Sequence, residues 1–346
     1  MSTDHDRKCP ILFPTSKVLK ASVTPPTRRS IFKWALIPAL ADLPAAYGQS
    51  WPSRPLRLIV GYSAGGAVDA MARLLANRLS EALGQQVVVE NRSGASGMIA
   101  AEALAKSASD GYTVMLADSS ALIARLINPK VSFDALTAFS PVAGAFQAPL
   151  MVVANNDFLA TDAKSLVQAL KSKPGAYAYA TSGVGTVHHL GFELLKSVTK
   201  TFALHIPYRG AAHIIPDVIS GQVQLGVVSV GAGLAQTKAG KMKALALFSP
   251  IRLPGADNVS ALADVVPGFN VSPSLFVVQA VGTPNDLVNR LSASIKTVMA
   301  SDEFAQTAMR LGAVVTYAPP AQLSSDLKQE VTQWSRLIRE QKIVAD

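Results

Sequence analysis

The most regular pattern of apolar and polar positions lies between residues 56 and 117. Leu56–Tyr62 is an apolar run of strand length that breaks into Ser63-Ala64-Gly65-Gly66. Apolar residues then recur at Val68, Met71, Leu75, Leu79 and Ala82, the spacing of one helix face, and Gly84 supplies the stop. A second apolar run, Val87–Val89, breaks at Ser93–Gly97, and a second helix and a third strand at Tyr112–Ala117 follow. The pattern predicts β-α-β-α-β, with small glycine-rich turns directly before two helices. Such turns expose backbone N–H groups where the helix dipole adds partial positive charge, a setting suited to an anion.

The alternation continues. Asp118-Ser119-Ser120 reads as a loop. Strands are expected at Leu150–Ala154, Ala176–Ala180, Ala203–Ile206, Gln224–Ser229, Ala244–Phe248 and Ser274–Ala280. Helices are expected at 163–172, from Val187, through Ile214 to Gly221, and near 285–300, 302–311 and 321–341. This order predicts an α/β protein with mostly parallel sheets. Tyr179–Thr186 repeats the strand, small loop, helix sequence of Tyr62–Gly66. Two such turns in different domains suggest two jaws that present backbone N–H groups to one ligand.

Composition narrows the chemistry. The chain has 346 residues, 49% hydrophobic and 16% charged, enough for two domains. Of the net charge of +9, residues 1–48 carry +4 (seven Lys/Arg, three Asp) and the remainder +5 (25 basic, 20 acidic). No basic cluster stands out in the remainder, so a nucleic-acid partner is not expected. The single cysteine, Cys9, allows no internal disulfide and no thiolate site further along. His188 and His189 are adjacent and point about 100° apart on a helix, which disfavours shared metal binding. Gly183-x-Gly185-x-x-His188 lacks the third glycine of a dinucleotide fingerprint. Neither a metal nor a cofactor is expected.

Gly61-Tyr62-Ser63-Ala64-Gly65 matches the G-x-S-x-G nucleophile elbow. An esterase using Ser63 is the alternative reading. Against it, the motif follows the first strand, no HGGG-type loop precedes it, and no histidine lies beyond His213 to act as base. Asp69, in the first turn of its helix, suits dipole complementation or capping, and alternatively a hydrogen bond to a ligand. At the N-terminus, Arg28-Arg29 in a twin-arginine-like box and the short apolar stretch Trp34–Leu43 read as an export signal, with cleavage before Gln49.

With these loops in view, the chain resembles the Bug family, the periplasmic receptors of tripartite tricarboxylate transporters. The resemblance runs from about Trp51 to Thr316. It rests on Pro55–Val60 with Ala64-Gly65-Gly66-x-x-Asp69-x-x-Ala72-Arg73, on Gly84–Arg92 with Gly94-Ala95-x-Gly97, and on Asp110-Gly111-Tyr112-Thr113. Further on it rests on Ser182–Thr186 with His189-Leu190, Pro207-Tyr208-Arg209-Gly210, Asp217, Gly221-Gln222-Val223 and Gly282-Thr283-Pro284. The chain departs from the family at Gly61, where proline is usual, at Ser274, where tryptophan is common, at Val259-Ser260…Ala263, and in the Asp118–Ser120 loop.

The resemblance implies a two-lobed α/β periplasmic-binding-protein-like fold of type II with a ligand cleft between the lobes. Lobe 1 would comprise 52–152 and 272–346, lobe 2 153–271, with crossings near 153 and 272. It implies a non-enzymatic receptor for a small carboxylate, a monomer that works in the periplasm with membrane transporter subunits or a sensor kinase ectodomain. The expected ligand-binding residues are Tyr62, Ser63, Ala64, Gly65, Gly66, Asp69, Ser119, Ser120, Ser182, Gly183, Gly185, Thr186 and His189.

Overall fold

The computed structural model describes residues 51–208 and 210–344. The expected export signal at 1–48 lies outside these residues. The chain runs through β1 (Leu56–Val60), α1 (Ala67–Leu83), β2 (Val87–Asn91), α2 (Met98–Ala105), β3 (Thr113–Asp118), α3 (Ser119–Ile127), α4 (Ala135–Ala138) and β4 (Phe139–Gln147). It continues through β5 (Leu150–Ala154), α5 (Ala163–Ser172), β6 (Ala178–Thr181), α6 (Val187–Thr199), β7 (Leu204–Pro207), α7 (Ala211–Ile219), β8 (Leu225–Ser229), α8 (Val230–Lys238) and β9 (Lys243–Leu247). The last described elements are β10 (Ser274–Ala280), α9 (Asn285–Met299), α10 (Asp302–Arg310), β11 (Val314–Ala318) and α11 (Pro320–Glu340).

These strands form two sheets, β11-β4-β10-β3-β1-β2 and β7-β6-β8-β5-β9. Side-chain alternation buries each sheet on both faces. In β1, Leu56, Leu58 and Val60 join α1 and α9 in one core, while Ile59 faces α2 and α3 in another. In β5, Leu150, Val152 and Ala154 pack toward α5 and α6, and Met151 and Val153 toward α7 and α8.

The sheets are mixed, which corrects the expectation of mostly parallel ones. β1 is parallel to β2 and β3, and β6 to β7 and β8. β10 is antiparallel to β3 and β4, β11 to β4, and β5 to β8 and β9. A strand buried on both faces is apolar in either direction, so its composition does not report its sense. β4, α3, α4, α8 and β11 are additional to the expected elements. Asp118-Ser119-Ser120 is the start of α3 rather than a loop, because the Asp118 carboxylate accepts from the Ser120 and Ala121 N–H groups and caps the helix.

The passage between sheets falls at 148–149, ahead of 153, because Leu150–Ala154 is already a strand of the second sheet. The return falls just before Ser274. The two crossings run side by side, and the Ala148 N–H donates to the Pro273 carbonyl at 3.0 Å. A small core of Ile123 and Ile127 from α3, Leu190 from α6, and Leu337, Ile338 and Ile343 from the C-terminal segment also spans both halves.

Candidate functional site

The turn after β1 is shaped by close contacts. A Cβ on Gly61 would meet the Gly97 Cα at 2.7 Å, so the turn lies directly against the 93–97 loop. Asp69 secures the turn from behind. Its carboxylate accepts from the Gly65 N–H at 2.9 Å, from Arg73 Nε at 2.9 Å and from Asn91 Nδ2 at 2.9 Å. Burial would raise the Asp69 pKa, but the bonds from Arg73, Gly65 and Asn91 prevail and hold it below the ordinary value. Gly66 begins α1 without a side-chain cap, and the Ala67 and Val68 N–H groups have no acceptor among the described residues.

The second turn, after β6, is built differently. Gly183 sits at φ +134°, where a Cβ would strike Ser96 Oγ at 2.7 Å. Gly185 packs on Ile127, 2.5 Å from the place its Cβ would occupy. Thr186 caps α6, donating to the Gly183 carbonyl at 2.8 Å and accepting from the His189 N–H. Ser182 Oγ and His188 Nδ1 are 3.0 Å apart. Burial pulls the His188 pKa down to about 4, so the ring is neutral near pH 7.

Between the turns lies a partly open chamber. Its wall includes Tyr62, Ser63, Ala64, Gly66, Ala67, Val68 and Asp118 from the first half. Ser182, His188, Gly210, Ala212, His213 and Ser229 come from the second, and Ala148, Leu150, Pro273 and Leu275 lie at or beside the crossings. A more open cleft continues from it past Ser93–Gly97, Gly183 and Tyr208. The starts of α1, α7 and α8, at Gly66, Gly210 and Ser229, all border the chamber, and none has a side-chain cap. Their N–H dipoles make it electropositive. No Lys or Arg lines the chamber among the described residues.

Among the described residues, Asp118 is the one carboxylate in this wall. The Tyr62 hydroxyl donates to it at 2.5 Å, and the Ser120 hydroxyl at 3.3 Å. Burial nevertheless raises its pKa above the ordinary carboxylate value, and the buried Tyr62 hydroxyl is pushed well above 10.0.

Of the expected residues, Tyr62, Ser63, Ala64, Gly66, Ser182 and Gly183 come together on the chamber and cleft. Gly65, Asp69, Ser119, Ser120, Gly185, Thr186 and His189 are not among the lining residues. Ser119 Oγ accepts from the Ser274 N–H at 3.1 Å, which ties α3 to β10. His189 Nδ1 accepts from the Gly185 N–H, and its ring stacks on His205 at 3.9 Å.

Asp118, His188, Gly210, Ala212, His213 and Ser229 line the chamber but were not among the expected residues. Gly210 repeats the strand, glycine, helix order of the other turns and was findable on that ground. Ser229 gives no such signal, because β8 runs straight into α8. Among the described residues, no group of three His, Cys, Asp or Glu side chains could hold a metal, and no helix is long and apolar enough to cross a membrane.

Two mixed sheets joined by paired crossings, with the chamber walled by both, define a type II periplasmic-binding-protein fold, the architecture of solute receptors. The profile of the TctC family, the tripartite tricarboxylate transporter family receptors, matches residues 71–343, and the chain belongs to that family. It is 32% identical to the UPF0065 protein in the tcbD-tcbE intergenic region of a Pseudomonas species, over 99% of both chains. It is 33% identical to BugT of Bordetella pertussis, over 84% of this chain and 90% of that one.

Among solved structures, the periplasmic binding protein BugD superposes with a TM-score of 0.79 at 29% identity, covering 86% of this chain and 100% of BugD. An R. palustris protein solved with adipate gives 0.80 at 30% identity, covering 85% and 99%. MatC from Rhodopseudomonas palustris, with bound malate, gives 0.77 at 25% identity, covering 83% and 100%. The matching family is one of transporter receptors. The esterase reading of Ser63 is therefore set aside. Consistent with this, the Ser63 hydroxyl is hydrogen-bonded to no histidine among the described residues, whereas a triad serine needs a base within reach.

Proposed function

We propose that this protein is an extracytoplasmic receptor that closes on a small carboxylate and delivers it to the membrane subunits of a tripartite tricarboxylate transporter. The lobes are the two sheets with their helices, joined at 148–149 and just before Ser274, and the export signal is the twin-arginine-like segment at 1–48. The observation that carries the ligand class is the convergence of three helix starts without side-chain caps on one chamber. The carboxylate is held by N–H groups of these helix starts and of the two turns, with hydroxyls from Ser63 and Ser182. Bonds from such donors to a charged oxygen contribute roughly 1.5–3 kcal/mol each, enough for binding on the order of micromolar after the cost of association.

Thermal shift and calorimetry with a panel of carboxylates and their matching primary amides provide the test. A carboxylate at about 100 times its dissociation constant should stabilise the protein by ~2.7 kcal/mol, while its amide should not. Fluorophosphonate probes should leave Ser63 unlabelled. Equal shifts from the amides, or stoichiometric Ser63 labelling with ester hydrolysis, would refute the receptor reading.

A further inference from the structure

The polar groups of the chamber are used unevenly. Tyr62 is committed to Asp118, whereas Ser182 shares one bond with His188 Nδ1 and keeps a second for a ligand. Ser229 is 5% exposed and borders the chamber, yet its hydroxyl has no partner among the described residues. Together with Ser63 and the uncapped starts of α1 and α7, it forms a single set of donors; the Val230 N–H at the start of α8 is taken by the Pro149 carbonyl at 2.9 Å. The rest of the wall is hydrocarbon from Val68, Ala148, Leu150, Pro273 and Leu275 beside the His188 and His213 imidazoles, with the buried Asp118 carboxylate lining the same space.

A ligand with one carboxylate finds its donors at the helix starts and then, within the chamber, a mostly apolar wall. A second carboxylate would lose its hydration against hydrocarbon and meet the like charge of Asp118. The chamber itself is small, about 80 Å³, and opens into the wider cleft along Ser93–Gly97 and Gly183.

We propose, resting on the reading of this cleft as a carboxylate site, that the ligand is a short aliphatic monocarboxylate. Asp118 and the apolar wall act as the determinants that exclude dicarboxylates. This separates the chain from the relatives solved with adipate and malate, both dicarboxylates.

The test is calorimetry on the full mature protein with butyrate, pentanoate and hexanoate against succinate, glutarate and adipate, the dicarboxylates of equal chain length. Each monocarboxylate should bind about tenfold tighter than its dicarboxylate, or more. Asp118→Asn keeps an acceptor for the α3 cap and should narrow that ratio to about threefold. Val68→Asn places an amide on the apolar wall and should weaken pentanoate about fivefold or more.

Dicarboxylates that bind as tightly as monocarboxylates in the wild-type protein overturn this inference and leave the carboxylate receptor standing. An unchanged ratio in folded Asp118→Asn removes Asp118 as a determinant. No binding by any carboxylate overturns the underlying reading instead. The wild-type comparison needs no variant, so a misfolded substitution does not leave the question open.

Discussion

Ser96 holds its backbone at φ +55°, next to Ala95 at +46°, in the left-handed region that favours glycine. For a residue with a Cβ this costs about 1 kcal/mol or more. Its hydroxyl donates across the cleft to the Val184 carbonyl at 3.0 Å, directly over the close approach at Gly183. The contact joins the 93–97 loop of one half to the second turn of the other. Ser96→Gly should relieve the backbone while losing the bond. The expected outcome is unchanged or higher stability of the free protein, with ligand dissociation accelerated about two- to tenfold, the worth of one hydrogen bond. Ser96→Ala should also speed dissociation without the gain in stability. Stopped-flow dissociation rates equal to wild type in both variants would show that the bond does not hold the cleft shut. Gly183 was legible in the sequence as part of a glycine-rich turn before a helix, but what approaches it was not.

At the scale of elements, the first turn and α1 depend on Asp69. Three donors from three separate places meet its carboxylate, so the side chain sets the loop that offers Ser63 and Gly66 to the chamber. Asp69→Ala should cost about 2 kcal/mol in denaturant unfolding, because Gly65 and Asn91 lose their acceptor, with the exposed Arg73 contributing little. Asp69→Asn should cost less than Asp69→Ala. A ligand contact would behave differently, with stability near wild type and binding abolished, and equilibrium unfolding beside calorimetry separates the two. The first-turn acidic residue was visible in the sequence, but the three donors that meet its carboxylate were not. α3 and α8 were not visible as helix starts, since β3 and β8 run into them with no intervening turn.

At the scale of the whole molecule, a buried polar cluster supports the second half from behind. Glu193 accepts from Tyr179 at 2.5 Å and from Lys196 at 2.6 Å, and His205 Nε2 lies 2.6 Å from Thr181 Oγ1. Burial acts to raise the Glu193 pKa, but bonds from His189, Lys196 and Tyr179 prevail and bring it to about 2. Burial, reinforced by His189, lowers His205 to about 3, and burial lowers His188 to about 4.

All three values are depressed on folding, so below the unfolded values the unfolded chain binds more protons. Stability is full above about pH 6.5 and falls as the pH drops, first through the two histidines toward 4 and 3. Glu193 adds to the loss below about pH 4.5. Each histidine contributes a slope of up to about 1.4 kcal/mol per pH unit in its window. Urea unfolding from pH 7.5 to 4.5 checks this. His205→Asn should flatten the slope while removing some stability at pH 7. A flat wild-type profile would contradict the neutral, buried state of both rings.

The sequence by itself determined the alternation of strands and helices, the two glycine-rich turns and the family. Each of these is written in short-range patterns: apolar spacing, helix stops, and glycines where the backbone needs them. Only the tertiary structure decided strand direction, because an apolar run buried on both faces reads the same either way. It also decided which of several equivalent side chains face the chamber. Ser119 bonds to Ser274, 155 residues away, while Ser229 is left facing the open space. His188 and His189 are neighbours in sequence, yet one lines the chamber and the other packs on His205 behind it. A hydroxyl or an imidazole has the same chemistry in either place, and its role is set by the partner that long-range packing brings to it.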